Sequence, residues 1–215
     1  MSKESNIVEY YVLCNKLKNI VRTGWLNWGG DRERVESIAE HIYGVQMLAI
    51  AMWSEYQYDI DIKKVLSMLA VHELEETIIG DITLFQMDAS TKAELGHKAV
   101  HDILSKLNYG DSIEKLVLEF DEKKSPEAMF AYQCDKLECD LQCRIYDEEG
   151  CVDLNNQEHN TTAKHPLVQK YLGQGDSWSQ MWLKFGQNKY PYDDNFKAVS
   201  DHAMSHSITK DEPIA

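Results

Sequence analysis

The stretch Ile62-Lys63-Lys64-Val65-Leu66-Ser67-Met68-Leu69-Ala70-Val71-His72-Glu73-Leu74-Glu75-Glu76 decides how this chain is read. At 100° per residue, Ile62, Val65, Leu66 and Leu69 share one helical face, and His72, Glu73 and Glu76 continue it. An apolar stripe therefore runs into an imidazole and two carboxylates where further core residues belong. Burying such groups unpaired is costly, so the fold must bring them a compensating partner. A divalent cation is the economical one, because neutral imidazole and carboxylate are its natural ligands.

Outward from this stretch the pattern stays helical. Four prolines and eleven glycines interrupt long periodic segments, and β-branched alternation is scarce, which predicts an all-α fold. Helices are expected over Ile7–Val21, Val35–Tyr56, Ile62–Ile79, Glu94–Leu107, Ser112–Phe120 and from Pro126 towards Tyr146. Gly24–Asp31 reads as a loop, and residues 150–162 as polar and irregular. Trp178–Trp182 returns to helical spacing and should dock on a core. In the second helix Ile38, Ile42, Val45, Ala49 and Met52 form the apolar stripe, with His41 at its edge. In the last, Phe130, Cys134, Leu137, Leu141 and Ile145 do so; Asp135 lies off its centre, where it reads equally as a ligand or an exposed charge.

The bulk numbers exclude several classes. With 36 acidic against 22 basic residues the net charge is −14, so no basic field draws in a nucleic-acid polymer. A small phosphorylated substrate is still admissible, since one arginine or a metal can hold one phosphate. Five cysteines (Cys14, Cys134, Cys139, Cys143, Cys151) make an odd count without paired CxxC spacing. Cys139 and Cys143, four apart, admit a zinc site, but reduced packing thiols are the simpler reading. No apolar run approaches the roughly 20 residues that span a bilayer. No membrane partner is expected, and with no export signal ahead of the cysteines the chain reads as cytoplasmic.

Four ligand candidates follow: His41, His72, Glu73 and Asp135, on three predicted helices that a bundle can converge on one interior point. The zinc-protease pattern HExxH is rejected, because position 76 is glutamate. His97 and His101 share a helix face but lack an apolar setting, and read as solvent-exposed. No glycine-rich phosphate loop or GxSxG elbow is present.

The order of these residues resembles a known family. His41, a His72-acid pair 31 residues on and Asp135 a further 63 on are similar to the H…HD…D pattern of HD-domain metal-dependent phosphohydrolases. Val21-Arg22-Thr23-Gly24-Trp25, Arg34-Val35-Glu36-Ser37-Ile38-Ala39-Glu40-His41, Gly80-Asp81-Ile82-Thr83, Pro126-Glu127-Ala128 and Asp135-Lys136-Leu137-Glu138 resemble the branch containing 5′-deoxynucleotidases. The resemblance covers residues 7–145 well and the region near 178–203 more loosely.

The resemblance implies a single globular HD-domain helical bundle over residues 1–205, with 206–215 as a flexible tail. It implies that His41, His72, Glu73 and Asp135 hold one divalent transition metal (Mn, Co, Fe, Ni or Zn). Glu76 would orient or deprotonate the attacking water, Asp81 would assist proton transfer to the leaving oxygen, and Arg22 would grip the phosphate. The implied reaction is hydrolysis of a (deoxy)nucleoside 5′-monophosphate by a homodimer. Two positions depart from the pattern. Glu73 stands where the family usually has Asp, moving the carboxylate by about one bond length. Thr23 stands where some deoxynucleotidases carry a tryptophan that helps select the sugar, and Trp25, two positions on, is not given that role. Two other readings therefore stay open: a triphosphate or other phosphate-ester hydrolase on the same site, or a catalytically impaired nucleotide-binding module.

Overall fold

The computed structural model describes residues 2–29, 33–172 and 177–209, and these are helices joined by turns. The helices are α1 (Lys3–Cys14), α2 (Thr23–Asn27), α3 (Ile38–Tyr56), α4 (Ile62–Val71), α5 (Glu76–Ile79), α6 (Ala89–Leu104), α7 (Gly110–Glu122), α8 (Pro126–Glu148), α9 (Pro166–Leu172), α10 (Trp178–Lys189) and α11 (Asp194–Ser205). A 3-10 turn, Asn15–Lys18, follows α1. Among the described residues the extended pairing is a single antiparallel bridge, Val21 with Ser37. The fold is all-α. By compactness the chain divides into two units, residues 1–23 with 35–132, and residues 24–34 with 133–215.

In the first unit α3 packs on α4, α4 on α7, and α6 on both α5 and α7. α3 opens with a reciprocal cap: the Ser37 hydroxyl accepts from the Glu40 N–H, and the Glu40 carboxylate accepts from the Ser37 N–H. Its buried face is Ile38, His41, Val45, Ala49 and Met52, so His41 occupies the stripe position expected of Ile42, which is only half-buried. Asp61 caps α4 by accepting from the N–H groups of Lys63 and Lys64. Leu74, Val100, Ile103, Leu104 and Val117 form a continuous apolar cluster.

Several boundaries differ from the periodicity reading: the helix expected over 7–21 is α1 with the 3-10 turn after it, and two further shifts have a clear local reason. The expected single helix over 62–79 ends at Val71, and a turn over His72–Glu75 separates α4 from α5. There the backbone bonds tighten to the i to i+3 kind, Leu74 N–H to Val71 O and Glu76 N–H to Glu73 O. The helix expected from Glu94 starts five residues earlier, because the Asp88 carboxylate accepts from the Thr91 N–H and caps it at Ala89.

The second unit is organised by aromatic rings. Trp25 meets Tyr146 and Trp178 edge-on at centroid distances of 5.3 and 5.9 Å, and Trp28 lies 5.7 Å from Trp178. Burial of these indoles turns residues 24–27, expected as loop, into most of α2, which Gly29 follows with φ +59°. Gly30 and Asp31, also expected in that loop, lie outside the described residues. Over residues 130–140 α8 is buried on most sides, polar residues Gln133, Asp135, Glu138 and Asp140 included. The Glu148 carboxylate at its end accepts bonds from Ser207, Ile208 and Thr209. The rest of the expected flexible tail, from residue 210 on, lies outside the described residues.

Candidate metal centre

His41 sits one turn inside α3 with its side chain fully buried. His72 is the C-cap of α4, 4% exposed, and the turn that follows it presents Glu73 to the same interior point. Glu73 Oε1 lies 3.8 Å from His41 Nε2 and 3.7 Å from His72 Nε2. The His72 Nδ1–H donates to the Leu69 carbonyl oxygen at 2.8 Å, since a carbonyl can only accept. That bond fixes the tautomer and leaves the lone pair on Nε2, as a metal-binding imidazole needs.

Asp135 completes the group. It is carried by α8, an unbroken helix that starts in the first unit, and it is 2% exposed, which settles its reading as an interior group. One ligand atom each from His41, His72, Glu73 and Asp135 lies within 4.8 Å of the others. Lys136 pairs with the Asp135 carboxylate at 2.7 Å. Two imidazole nitrogens and two carboxylates this close form a donor set that suits a divalent transition metal. A cation fits here on electrostatic grounds too, because the acidic groups around the cluster outnumber the local cations.

Glu76 shows that excess most clearly. It opens α5, is 1% exposed, and burial together with Glu73 and Asp81 pushes its carboxyl up to about 10, against the opposing pull of Lys92 and Arg22. Its Oε1 lies 3.3 Å from Lys92 Nζ, while its buried Oε2 has no hydrogen-bond partner among the described residues. Burial alone would lower the Lys92 ammonium, but Glu73, Glu76 and Glu75 outweigh it and hold it above its ordinary value.

Arg22 approaches the same Glu73 oxygen, its Nη1 3.7 Å from Oε1, with Nε 4.0 Å from Glu36. The segment bearing it is pinned at two points. The Arg22 N–H donates to the Glu36 carbonyl, and the Thr23 N–H donates to Asp81 Oδ2 at 2.6 Å. The Thr23 hydroxyl also donates to the Asp81 carbonyl at 2.8 Å. Asp81 thus anchors the residue next to Arg22, and Trp25 packs in an aromatic cluster.

Other candidates fall elsewhere. His97 pairs with Asp121 at 2.7 Å and His101 with Glu114 at 3.2 Å, His97 being half-buried and His101 exposed. All five cysteines are free, and Cys143 is buried. Lys92 is not marked by periodicity, which places the start of that helix at Glu94. The missed signals were the Asp88 cap and a lysine four residues before Gly96, in line with buried Val100 and Leu104.

The fold and this site define a class. The HD domain model matches residues 14–173, and the chain belongs to the HD domain family. Among its relatives is a protein named 5′-deoxynucleotidase HDDC2 from Dictyostelium discoideum, 31% identical over 188 residues, covering 80% of this chain and 98% of that one. Another, 5′-deoxynucleotidase hdd1 from Schizosaccharomyces pombe, is 28% identical over 199 residues, covering 87% and 98%. A crystal structure of a Pyrococcus horikoshii OT3 protein shares the fold, with a TM-score of 0.64 at 24% identity, over 92% of this chain and 98% of that one.

Proposed function

We propose that this chain is a metal-dependent phosphomonoester hydrolase that converts (deoxy)nucleoside 5′-monophosphates to nucleoside and inorganic phosphate. The observation that carries the reading is the buried cluster of His41, His72, Glu73 and Asp135, with Arg22 beside it and buried Glu76 within electrostatic reach of Glu73. The names of the two relatives support the substrate class.

The four ligands would hold one cation, and this donor set favours Mn, Fe, Co, Ni or Zn over Mg or Ca. When bound, that cation supplies Lewis-acid charge at a phosphoryl oxygen and a lowered pKa for a coordinated water. Glu76 orients the attacking water and takes its proton through the carboxylate oxygen that Lys92 leaves unengaged. The Arg22 guanidinium, the group nearest Glu73 able to bind two oxygens at once, grips the phosphate and balances charge on its equatorial oxygens. Asp81 assists proton transfer to the leaving oxygen, and its bonds to Thr23 keep Arg22 in place. Glu73 reaches both imidazoles, which supports a competent site despite its extra methylene.

The family match runs from residue 14 to 173, which supports residues 1–205 as one HD-type domain. A cytoplasmic homodimer is part of the same reading. Its contact face would be the exposed Tyr43, Met47, Ile50 and Trp53 of α3, and light scattering returning a monomer mass would count against it.

The deciding experiment is a release assay on protein loaded with Mn²⁺ or Co²⁺. Inorganic phosphate from deoxynucleoside monophosphates is the expected product. Pyrophosphate or triphosphate release from nucleoside triphosphates, or tight nucleotide binding without turnover, would replace this reading with another.

A further inference from the structure

We propose that Lys92 is a positioning residue for this hydrolysis: its ammonium holds one oxygen of Glu76 so that the other is aimed at the attacking water. The inference rests on the hydrolase reading above and assigns a role to a side chain outside the ligand set.

Three observations carry it. Lys92 Nζ lies 3.3 Å from Glu76 Oε1, and Oε2 of the same carboxylate is buried without a partner among the described residues. The lysine therefore occupies one oxygen and leaves one lone acceptor, which is what a water-orienting carboxylate requires.

Next, α6 is built to bring the lysine there. Lys92 and Gly96 are four residues apart on one face, and Gly96 packs on the turn that follows His72. A Cβ at Gly96 would stand 3.2 Å from Glu75 Cγ, tighter than such contacts normally are. The absence of a side chain at 96 lets the helix approach, and the lysine one turn earlier spans what is left of the gap to Glu76.

Finally, the position disfavours a lysine on local grounds. Asp88 caps α6, so Lys92 lies at the end of the first turn, where a cation opposes the helix dipole. Its side chain is only 29% exposed, so water screens little of that cost. Helix stability does not account for it; the carboxylate it faces does.

The test compares wild type with Lys92→Met and Lys92→Arg, all Mn²⁺-loaded, for kcat, KM, bound metal and thermal midpoint. Lys92→Met is expected to keep its metal and its KM within about threefold while kcat falls about tenfold or more, as misplacement of a reacting group predicts. Lys92→Arg, which keeps the charge and comparable reach, is expected to recover most of kcat. Should Lys92→Met fail to fold, the arginine variant decides alone, and a tenfold loss of kcat in a folded Lys92→Arg overturns the proposal. So does an unchanged kcat in Lys92→Met, or a loss confined to KM, which would make Lys92 a substrate contact. Wild type without turnover defeats the hydrolase reading and this role with it, whereas active wild type beside an equally active Lys92→Met defeats the lysine's role alone.

Discussion

Glu76 stands under opposing demands. Burial and two neighbouring carboxylates favour its neutral form, while Lys92 and Arg22 favour the charged one that a proton acceptor must have. A cation held by Glu73 and its partners would tip that balance towards the carboxylate. Removing the charge while keeping the shape isolates this role. Glu76→Gln is expected to lower kcat about a hundredfold or more with metal content unchanged. A variant within a few-fold of wild type would assign the water to another group. At this scale much of the candidate cluster is legible in the sequence: His72, Glu73 and Glu76 continue an apolar stripe and His41 lies at the edge of another, whereas Asp135 reads equally as a ligand or an exposed charge until its burial places it in the interior. Lys92 is not, because one lysine among many announces itself only when the helix carrying it is correctly bounded.

The turn over His72–Glu75 and the close approach of α6 are features of elements. Periodicity ran one helix through to Ile79, since side-chain spacing is nearly the same in a tightened turn; only the backbone bonds reveal the break. That break frees His72 to cap α4 and lets consecutive residues face one point. Gly96 is the counterpart on α6, and it was invisible as a contact because nothing in its neighbours names Glu75. Gly96→Val is expected to force the two segments apart, costing about 1–3 kcal/mol in stability and about tenfold in kcat. Unchanged thermal midpoint and turnover would show that the close approach is not needed.

The far end of α8 makes a separate, pH-dependent prediction. Burial alone would raise the Glu148 carboxyl, but bonds from Thr209, Ser207 and the Ile208 N–H outweigh it and hold it at about 2. The folded value lies below the ordinary 4.5, so the stabilisation is complete above that pH and is lost as pH falls towards 2. The difference in urea midpoint between wild type and Glu148→Gln should therefore be constant above about pH 5 and shrink between 4.5 and 2. A difference that ignores pH would mean that the anchor is not ionic.

For the whole molecule, the all-α class followed from sparse breakers and sustained helical periods, and the HD domain match agrees with it. What the pattern could not supply was the grouping of the chain. Residues 24–34 belong with 133–215, because Trp25 and Trp28 pack against Trp178, and aromatic residues some 150 positions apart carry no periodic signal. The net charge of −14 is compatible with a small anionic substrate only if positive charge is concentrated locally, and Arg22 and the cation would provide it. His41, His72, Glu73 and Asp135 would share that one cation. Elemental analysis of protein purified without chelator tests it most directly, with His41→Ala and Asp135→Asn purified alongside. One equivalent of a divalent transition metal in wild type, lost in both folded variants, is the predicted result. Wild type free of metal after exposure to Mn²⁺, Co²⁺, Fe²⁺, Ni²⁺ or Zn²⁺, or the same content in all three proteins, would contradict it.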